Sequence, residues 1–299
     1  MEGFERVEKI FYNLENKLGI ASTGTVVCKG KFHRRDVAVK RYLNTLWCEA
    51  DNQIANLLQV DYHPNIVQYL GVEFTKDFCY LALQLCQSNL EQLVTREYDN
   101  PNVETLEIMK DILNGLSYLH SLSPAIVHRD VKASNGLIFA PNSKVKPIGV
   151  LSDLGLSKQL KESQDFSMTE GVGTIGYMAP ELLMINHDKD KTSQKVSIKI
   201  DIFAAGCLLY YVLSDGNHPF GENIHRRNAN IIDNLPDLSK IQENGCGLKQ
   251  LIGEMIAFSP NQRPNAKEIA SRLCNRSTSS TVTGSYLRGN NLYLGQKKN

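Results

Sequence analysis

The spacing of apolar residues changes character once along this 299-residue chain, near Ser88, and that change constrains the fold more than any other feature. Before it, short β-branched runs sit between polar turns. Thr25-Val26-Val27-Cys28, Arg35-Asp36-Val37-Ala38-Val39-Lys40, Ile66 to Tyr69 and Phe78 to Leu85 each predict a strand. Within Cys48 to Gln59, Ile54, Leu57 and Leu58 recur at helical spacing, which predicts one helix ended by His63-Pro64-Asn65. After the change, Ser88-Asn89-Leu90-Glu91 reads as a capping box, with hydroxyl and carboxylate each serving an orphan amide of a helix start. Leu106, Met109, Leu113, Leu116 and Leu119 then mark one face of a longer helix, and the pattern stays mostly helical beyond Gly155. The expected architecture is α+β and bilobal. A small sheet-rich lobe with one key helix spans residues 11–84, a hinge 85–88, and a larger, mainly helical lobe 89–274. Residues 1–10 read as an extension and 275–299, rich in Ser, Thr, Gly and Asn, as a flexible polar tail.

Composition narrows the partners. A formal net charge of +1 gives no global field towards nucleic acid or an anionic membrane, so no nucleic-acid partner is predicted. The 7 cysteines include no C-x-x-C pair, which speaks against a zinc ribbon, a redox motif or a secreted disulfide framework and for reduced thiols in the cytoplasm. No signal peptide is visible at Met1 to Lys9, and the longest apolar stretch, Ile202 to Leu213, is too short for a membrane span. It predicts a buried helix instead.

Two constellations carry chemistry. Gly19, Gly24 and the intervening Ala21 form a small-residue loop leading into Val26, where backbone amides can close over phosphates that a Cβ would exclude. A turn between strands explains it equally well in isolation; Lys40, one strand further on, stands in the order expected of a lysine reaching phosphates. The stronger signal is His128-Arg129-Asp130-Val131-Lys132-Ala133-Ser134-Asn135, followed by Ser152-Asp153-Leu154-Gly155. Asp130 offers a carboxylate to orient a hydroxyl and accept its proton, and Lys132 offers a cation for a phosphoryl group in transit. Asn135 and Asp153 offer the oxygen ligands that Mg²⁺ prefers.

Together these motifs resemble a eukaryotic protein kinase over about Phe11 to Leu273. The resemblance implies ATP and Mg²⁺ as cofactors, a protein substrate and Ser/Thr specificity through Lys132. Ala179-Pro180-Glu181 would close an activation segment opened by Asp153, Asp201 to Gly206 would brace the catalytic loop, and Arg263 would partner Glu181. Leu83 would be the gatekeeper, with backbone groups of Gln84 and Cys86 meeting adenine between Val26, Ala38 and Leu137. Arg129 would clamp a phosphate on Ser163, Ser167 or Thr169, while Thr174 would touch the catalytic loop. Asp36 to Arg41, Asp61 to Val67, Leu83 to Cys86 and Gly216 to Gly221 are more narrowly similar to the inositol-requiring kinase/endoribonuclease family, to which RNase L is also similar. That family implies a homodimer and trans-autophosphorylation. With only the polar tail after Leu273, no ribonuclease domain is expected and neither ribonuclease activity nor stress sensing carries over.

Three departures bear on activity. Ala21 replaces the middle glycine of the loop, and Leu154 keeps an apolar plug where the family has Phe. Gln53 stands where the family has the glutamate that pairs with the lysine, and Glu49, one turn upstream, is the alternative carboxylate. A neutral Gln–Lys contact is weaker than an ion pair. Two readings therefore remain: a slow Ser/Thr kinase, or a nucleotide-binding pseudokinase serving as an interaction or dimerisation module.

Overall fold

The computed structural model of the chain describes residues 4–20, 25–43, 60–160, 173–185, 197–241 and 247–277. Its first third forms an antiparallel sheet of β1 (Glu5–Val7), β2 (Ile10–Ile20), β3 (Val26–Phe32), β4 (Arg35–Leu43), β5 (Tyr69–Phe74) and β6 (Phe78–Gln84), in spatial order β1-β2-β3-β4-β6-β5. Alternation along each strand sorts the side chains by face. Ile10, Tyr12, Cys28, Val37, Val39, Tyr80 and Ala82 pack into a core of their own. The opposite register positions, among them Tyr42, Leu81 and Leu83, join the core of the second lobe. The residues read as an extension supply β1, with Glu5 opposite Tyr12.

One predicted strand is displaced. Residues 66 to 69 were expected to be extended, but regular pairing starts at Tyr69. Ile66 makes only an isolated parallel bridge to Leu151. The backbone there bonds to the second lobe instead: Val67 N–H donates to Leu151 O (2.9 Å) and Leu151 N–H to Asn65 O (2.8 Å). The helix expected within Cys48 to Gln59 lies outside the described residues.

The second lobe holds β7 (Ser88–Asn89), α1 (Leu90–Val94), α2 (Thr105–Ser121), β8 (Ile126–Val127), β9 (Gly136–Phe139), β10 (Ile148–Leu151) and β11 (Lys158–Gln159). It continues with α3 (Pro180–Ile185), α4 (Lys199–Leu213), α5 (Ile224–Ile232), α6 (Leu248–Met255) and α7 (Ala266–Ser277). The cap of α1 is not the expected box. Ser88 is held in β7 opposite Ile138, so Asn89 adjoins the first turn and its side chain accepts from Gln92 N–H at 2.9 Å. Helix α2 buries Met109, Leu113, Leu116 and Leu119 as its spacing predicts. At Gly115 it runs so close to the first lobe that a Cβ would stand 2.5 Å from Asn65 O, so any side chain there would push the lobes apart.

Helix α4 is apolar nearly all round and correspondingly buried on all sides. Among the described residues no helix is long and apolar enough to cross a membrane. Helix α7 runs to Ser277, three residues into the segment read as tail; residues 278–299 lie outside the described ones.

Candidate active site

A polar residue inside an apolar helix needs partners, and Asp201 in α4, 1% exposed, finds them in the loop after β8. One oxygen accepts from His128 N–H and the other from Arg129 N–H, each at 2.8 Å, and His120 Nε2 stands 2.8 Å from the first. Burial alone would raise the Asp201 carboxyl; the bond to His120 and the positive surroundings hold it below its ordinary range. These bonds fix Arg129 at φ +71°, a left-handed conformation that a non-glycine residue keeps only under constraint. The loop is thereby clamped from below.

The clamp presents Asp130. Asn135 Nδ2 donates to its carbonyl (2.8 Å) and to its Oδ2 (2.9 Å), while Lys132 Nζ lies 2.8 Å from the same Oδ2. Thr174 Oγ1 donates to Asp130 Oδ1 at 2.6 Å and accepts from Lys132 Nζ at 3.0 Å, which is the catalytic-loop contact expected of Thr174. Because the Asn135 amide nitrogen is spent on Asp130, its oxygen remains as the group to offer a ligand.

The same loop is tied to Asp153. Ser152 N–H and Oγ both donate to Asn135 O at 3.0 Å, and His128 Nε2 lies 2.9 Å from Ser152 O. Asp153 follows at φ +66°, its Oδ1 taking Lys40 Nζ from β4 at 2.7 Å. Burial raises the Asp153 carboxyl, but Lys40 more than offsets this and the group stays below its usual range. Lys40 mirrors it, with burial opposing its charge and Asp153 lifting it above the ordinary lysine value. Leu154 beside them is fully buried, so the apolar plug is in place. Lys40, Asp130, Asn135 and Asp153 thus meet in one connected cluster between the lobes.

Farther from the cleft, Arg263 is 1% exposed and grips Glu181 with both terminal nitrogens, at 2.7 and 2.8 Å. It also donates to the carbonyls of Ala257, Lys199 and Phe258 and lies 5.1 Å from the centre of the Phe203 ring. Of the paired charges expected from sequence, Arg263 is therefore buried and fully bonded, and Glu181 is part-buried.

The profile of the protein kinase domain matches residues 12–273. This chain belongs to the protein kinase domain family. It is 39% identical over 269 residues to the human Serine/threonine-protein kinase/endoribonuclease IRE2, covering 88% of this chain and 28% of that protein. It is 34% identical over 278 residues to ire-1 of Caenorhabditis elegans, covering 90% and 28% respectively. To IRE1 of Oryza sativa it is 35% identical over 271 residues, covering 84% and 29%. The chain spans little more than a quarter of the length of these relatives.

Within this kinase domain the nucleotide-side positions are partly gathered. Ala38 pairs with Leu83 and Lys40 with Leu81, so Ala38, Lys40 and Leu83 share one face of the sheet. Val26 pairs with Arg41, one residue out of step with that face. Gln84 N–H donates to Gln68 O at 2.9 Å. Cys86 follows two residues on, its thiol pushed up to about 12 by burial. Leu137 in β9 lies opposite both Val150 and Asn89. Gly19 pairs with Val27, and a Cβ there would meet nothing within 4 Å. Ala21, Gly24, Gln53, Glu49, Ser163, Ser167 and Thr169 lie outside the described residues.

The donors fit a hard divalent ion of modest protein coordination. Among the described residues no three His, Cys, Asp or Glu side chains form a metal cage. The Asn135 amide oxygen and the Asp153 carboxylate are two oxygens of the kind such an ion takes from protein when phosphates and water fill its other positions. Two residues escaped the sequence reading. His120 gave only one signal, a polar side chain one turn after Leu116 on the buried face of α2. Tyr42 gave a clearer one: two residues after Lys40 in a strand, it must share the face of that lysine.

Proposed function

We propose that this kinase domain transfers the γ-phosphoryl group of ATP to serine and threonine hydroxyls of proteins, its own chain included. Phosphoryl transfer asks a protein mainly for positioning and for charge placed where the transferred group will be. Asp130 orients the acceptor hydroxyl and takes its proton as the oxygen bonds to phosphorus and the bond to ADP breaks. Lys132, beside it, offers positive charge to the group in transit. Lys40 holds the α- and β-phosphates, and Asn135 and Asp153 hold Mg²⁺, which when bound neutralises the phosphates. Leu83, Ala38 and Leu137 wall the adenine, the Gln84 carbonyl and Cys86 backbone meet its edge, and Gly19, Ala21 and Gly24 cover the phosphates; Val26, out of step with Ala38 in the sheet, is left out of the wall.

The observation that carries this reading is the single hydrogen-bonded group running from Asp130 through Asn135 and Ser152 to Asp153 and Lys40. A pseudokinase scaffold has no need of Lys132 and Thr174 both aimed at Asp130. The names of these three relatives, each a serine/threonine-protein kinase/endoribonuclease, support the substrate class. Transfer between two copies of the chain, as a homodimer in the cytoplasm, follows from the same reading, and the free thiols Cys28, Cys79, Cys86 and Cys207 accord with a reducing compartment.

Incorporation of labelled γ-phosphate into the chain tests it. Asp130→Asn is expected to lower the rate by about 10²–10⁴-fold, the usual worth of a positioned base. Equal incorporation by both proteins would overturn the proposal.

A further inference from the structure

The lysine that this reading assigns to the phosphates has a neighbour that no family role accounts for. Lys40 and Tyr42 lie two residues apart in β4, opposite Leu81 and Cys79, so both side chains project from the same face of the sheet. Tyr42 is 2% exposed and Lys40 6%. The ammonium stands 5.1 Å from the centre of the Tyr42 ring, inside the range where a ring face attracts a cation, and the two side chains are hydrogen-bonded. Burial pushes the Tyr42 hydroxyl up to about 12, so it stays neutral at physiological pH. An ammonium has only donors, and the hydroxyl is therefore the acceptor in that bond.

The sequence shows why such a neighbour matters. Where the family resemblance places a glutamate for this lysine, the sequence has Gln53, a side chain with no charge to offer. Among the described residues, Asp153 gives Lys40 a carboxylate, at 2.7 Å. That carboxylate is also one of the two proposed metal donors, so a divalent ion bound there competes with the ammonium for its negative charge. A lysine held by this carboxylate alone would be held less firmly once the metal is bound. Tyr42 offers a contact that metal binding leaves intact, from a residue fixed by strand pairing with Cys79.

We propose that Tyr42 is a positioning residue that holds the Lys40 ammonium towards the nucleotide phosphates, doing part of the work that the family assigns to a glutamate. This rests on the role of Lys40 proposed above. The hydroxyl and the ring face share the task, and only ligands carrying phosphates sense it.

The test compares wild type, Tyr42→Phe and Tyr42→Ile, each with Gln53 and with Gln53→Glu, using the whole chain. Affinity is measured for a non-hydrolysable ATP analogue with Mg²⁺ and, separately, for adenosine. Tyr42→Ile should weaken the analogue about tenfold, equivalent to about 1.4 kcal/mol. Tyr42→Phe, which keeps the ring and the core volume, should weaken it about threefold. Adenosine affinity should hold within about twofold for both, and Gln53→Glu should restore most of the loss. Unchanged analogue binding in both Tyr42 variants would overturn the proposal, and so would a parallel loss of adenosine binding or a loss that Gln53→Glu leaves in place. Should Tyr42→Ile not fold, Tyr42→Phe decides alone. Because binding is read without turnover, a wild type that bound the analogue but transferred no phosphate would sink the proposed function and leave this inference to its own result.

Discussion

The two halves of the cleft are held in different ways. The catalytic loop rests on a buried helix: Asp201 takes two of its backbone amides, and Arg263, with five hydrogen bonds to Glu181 and three carbonyls, locks the segment below. On the nucleotide side, among the described residues, Lys40 is held across the lobe boundary by its ion pair with Asp153, with Tyr42 beside it. The first is a permanent fixture, since none of its groups has any part in the chemistry. The second consists of groups that must change partners when ligand arrives. Rigid support sits where geometry must not vary, and exchangeable pairing sits where binding must be reversible.

The comparison breaks most readily at Arg263. Arg263→Ala would leave the part-buried Glu181 carboxylate without its partner and three carbonyls without their donor, and should cost about 3–5 kcal/mol of stability, read as a lower midpoint in urea. A loss below about 1 kcal/mol would mean that the fixture is not rigid support.

Acid should loosen the same lobe next. His218 is 4% exposed beside Tyr177 and Phe220, and burial, with Arg227 adding to it, lowers it to about 3. Folded protein therefore keeps His218 neutral, while the unfolded chain binds a proton below about 6.5. Stability from this group is complete above that value and falls as pH drops towards 3, by on the order of a few kcal/mol. Urea midpoints from pH 7 to pH 4 should show a smaller slope in His218→Phe than in wild type. Identical slopes would remove His218 from the account.

A smaller effect sharpens the catalytic side. Thr174 bridges Asp130 and Lys132, and Thr174→Val removes a bond to a charged group, worth about 1.5–3 kcal/mol. Phosphate transfer should fall about ten- to hundredfold with thermal stability nearly unchanged, and Thr174→Ser should recover most of it. If Ser fails to recover activity, the bridge is not what Thr174 supplies.

The contrast also explains what could be read from sequence. Asp130, Lys132, Asn135 and Asp153 were legible because their spacing is set locally, by a short loop and the strands that flank it. Lys40 was legible through its strand. The partners of Asp201 were not, because His120 comes from a helix 81 residues earlier and a burial pattern cannot name which backbone amides it will meet. Residues 66 to 69 show the same limit. Their β-branched composition suits a strand, yet Ile66 bonds back to His63 and Val67 donates across the lobe boundary to Leu151. The cap of α1 moved by one residue because pairing of Ser88 with Ile138, a tertiary contact, outweighed the local box.

Thermal unfolding with ATP, with and without Mg²⁺, bears most directly on whether both halves of the cleft converge on one triphosphate. At about 100 times the dissociation constant, ligand should add about 2.7 kcal/mol, a rise in Tm on the order of 5 °C or more. The account predicts that rise with MgATP, a distinctly smaller one without metal, and loss of the difference in Asn135→Ala. No rise with MgATP, or the same rise with and without Mg²⁺, would contradict it.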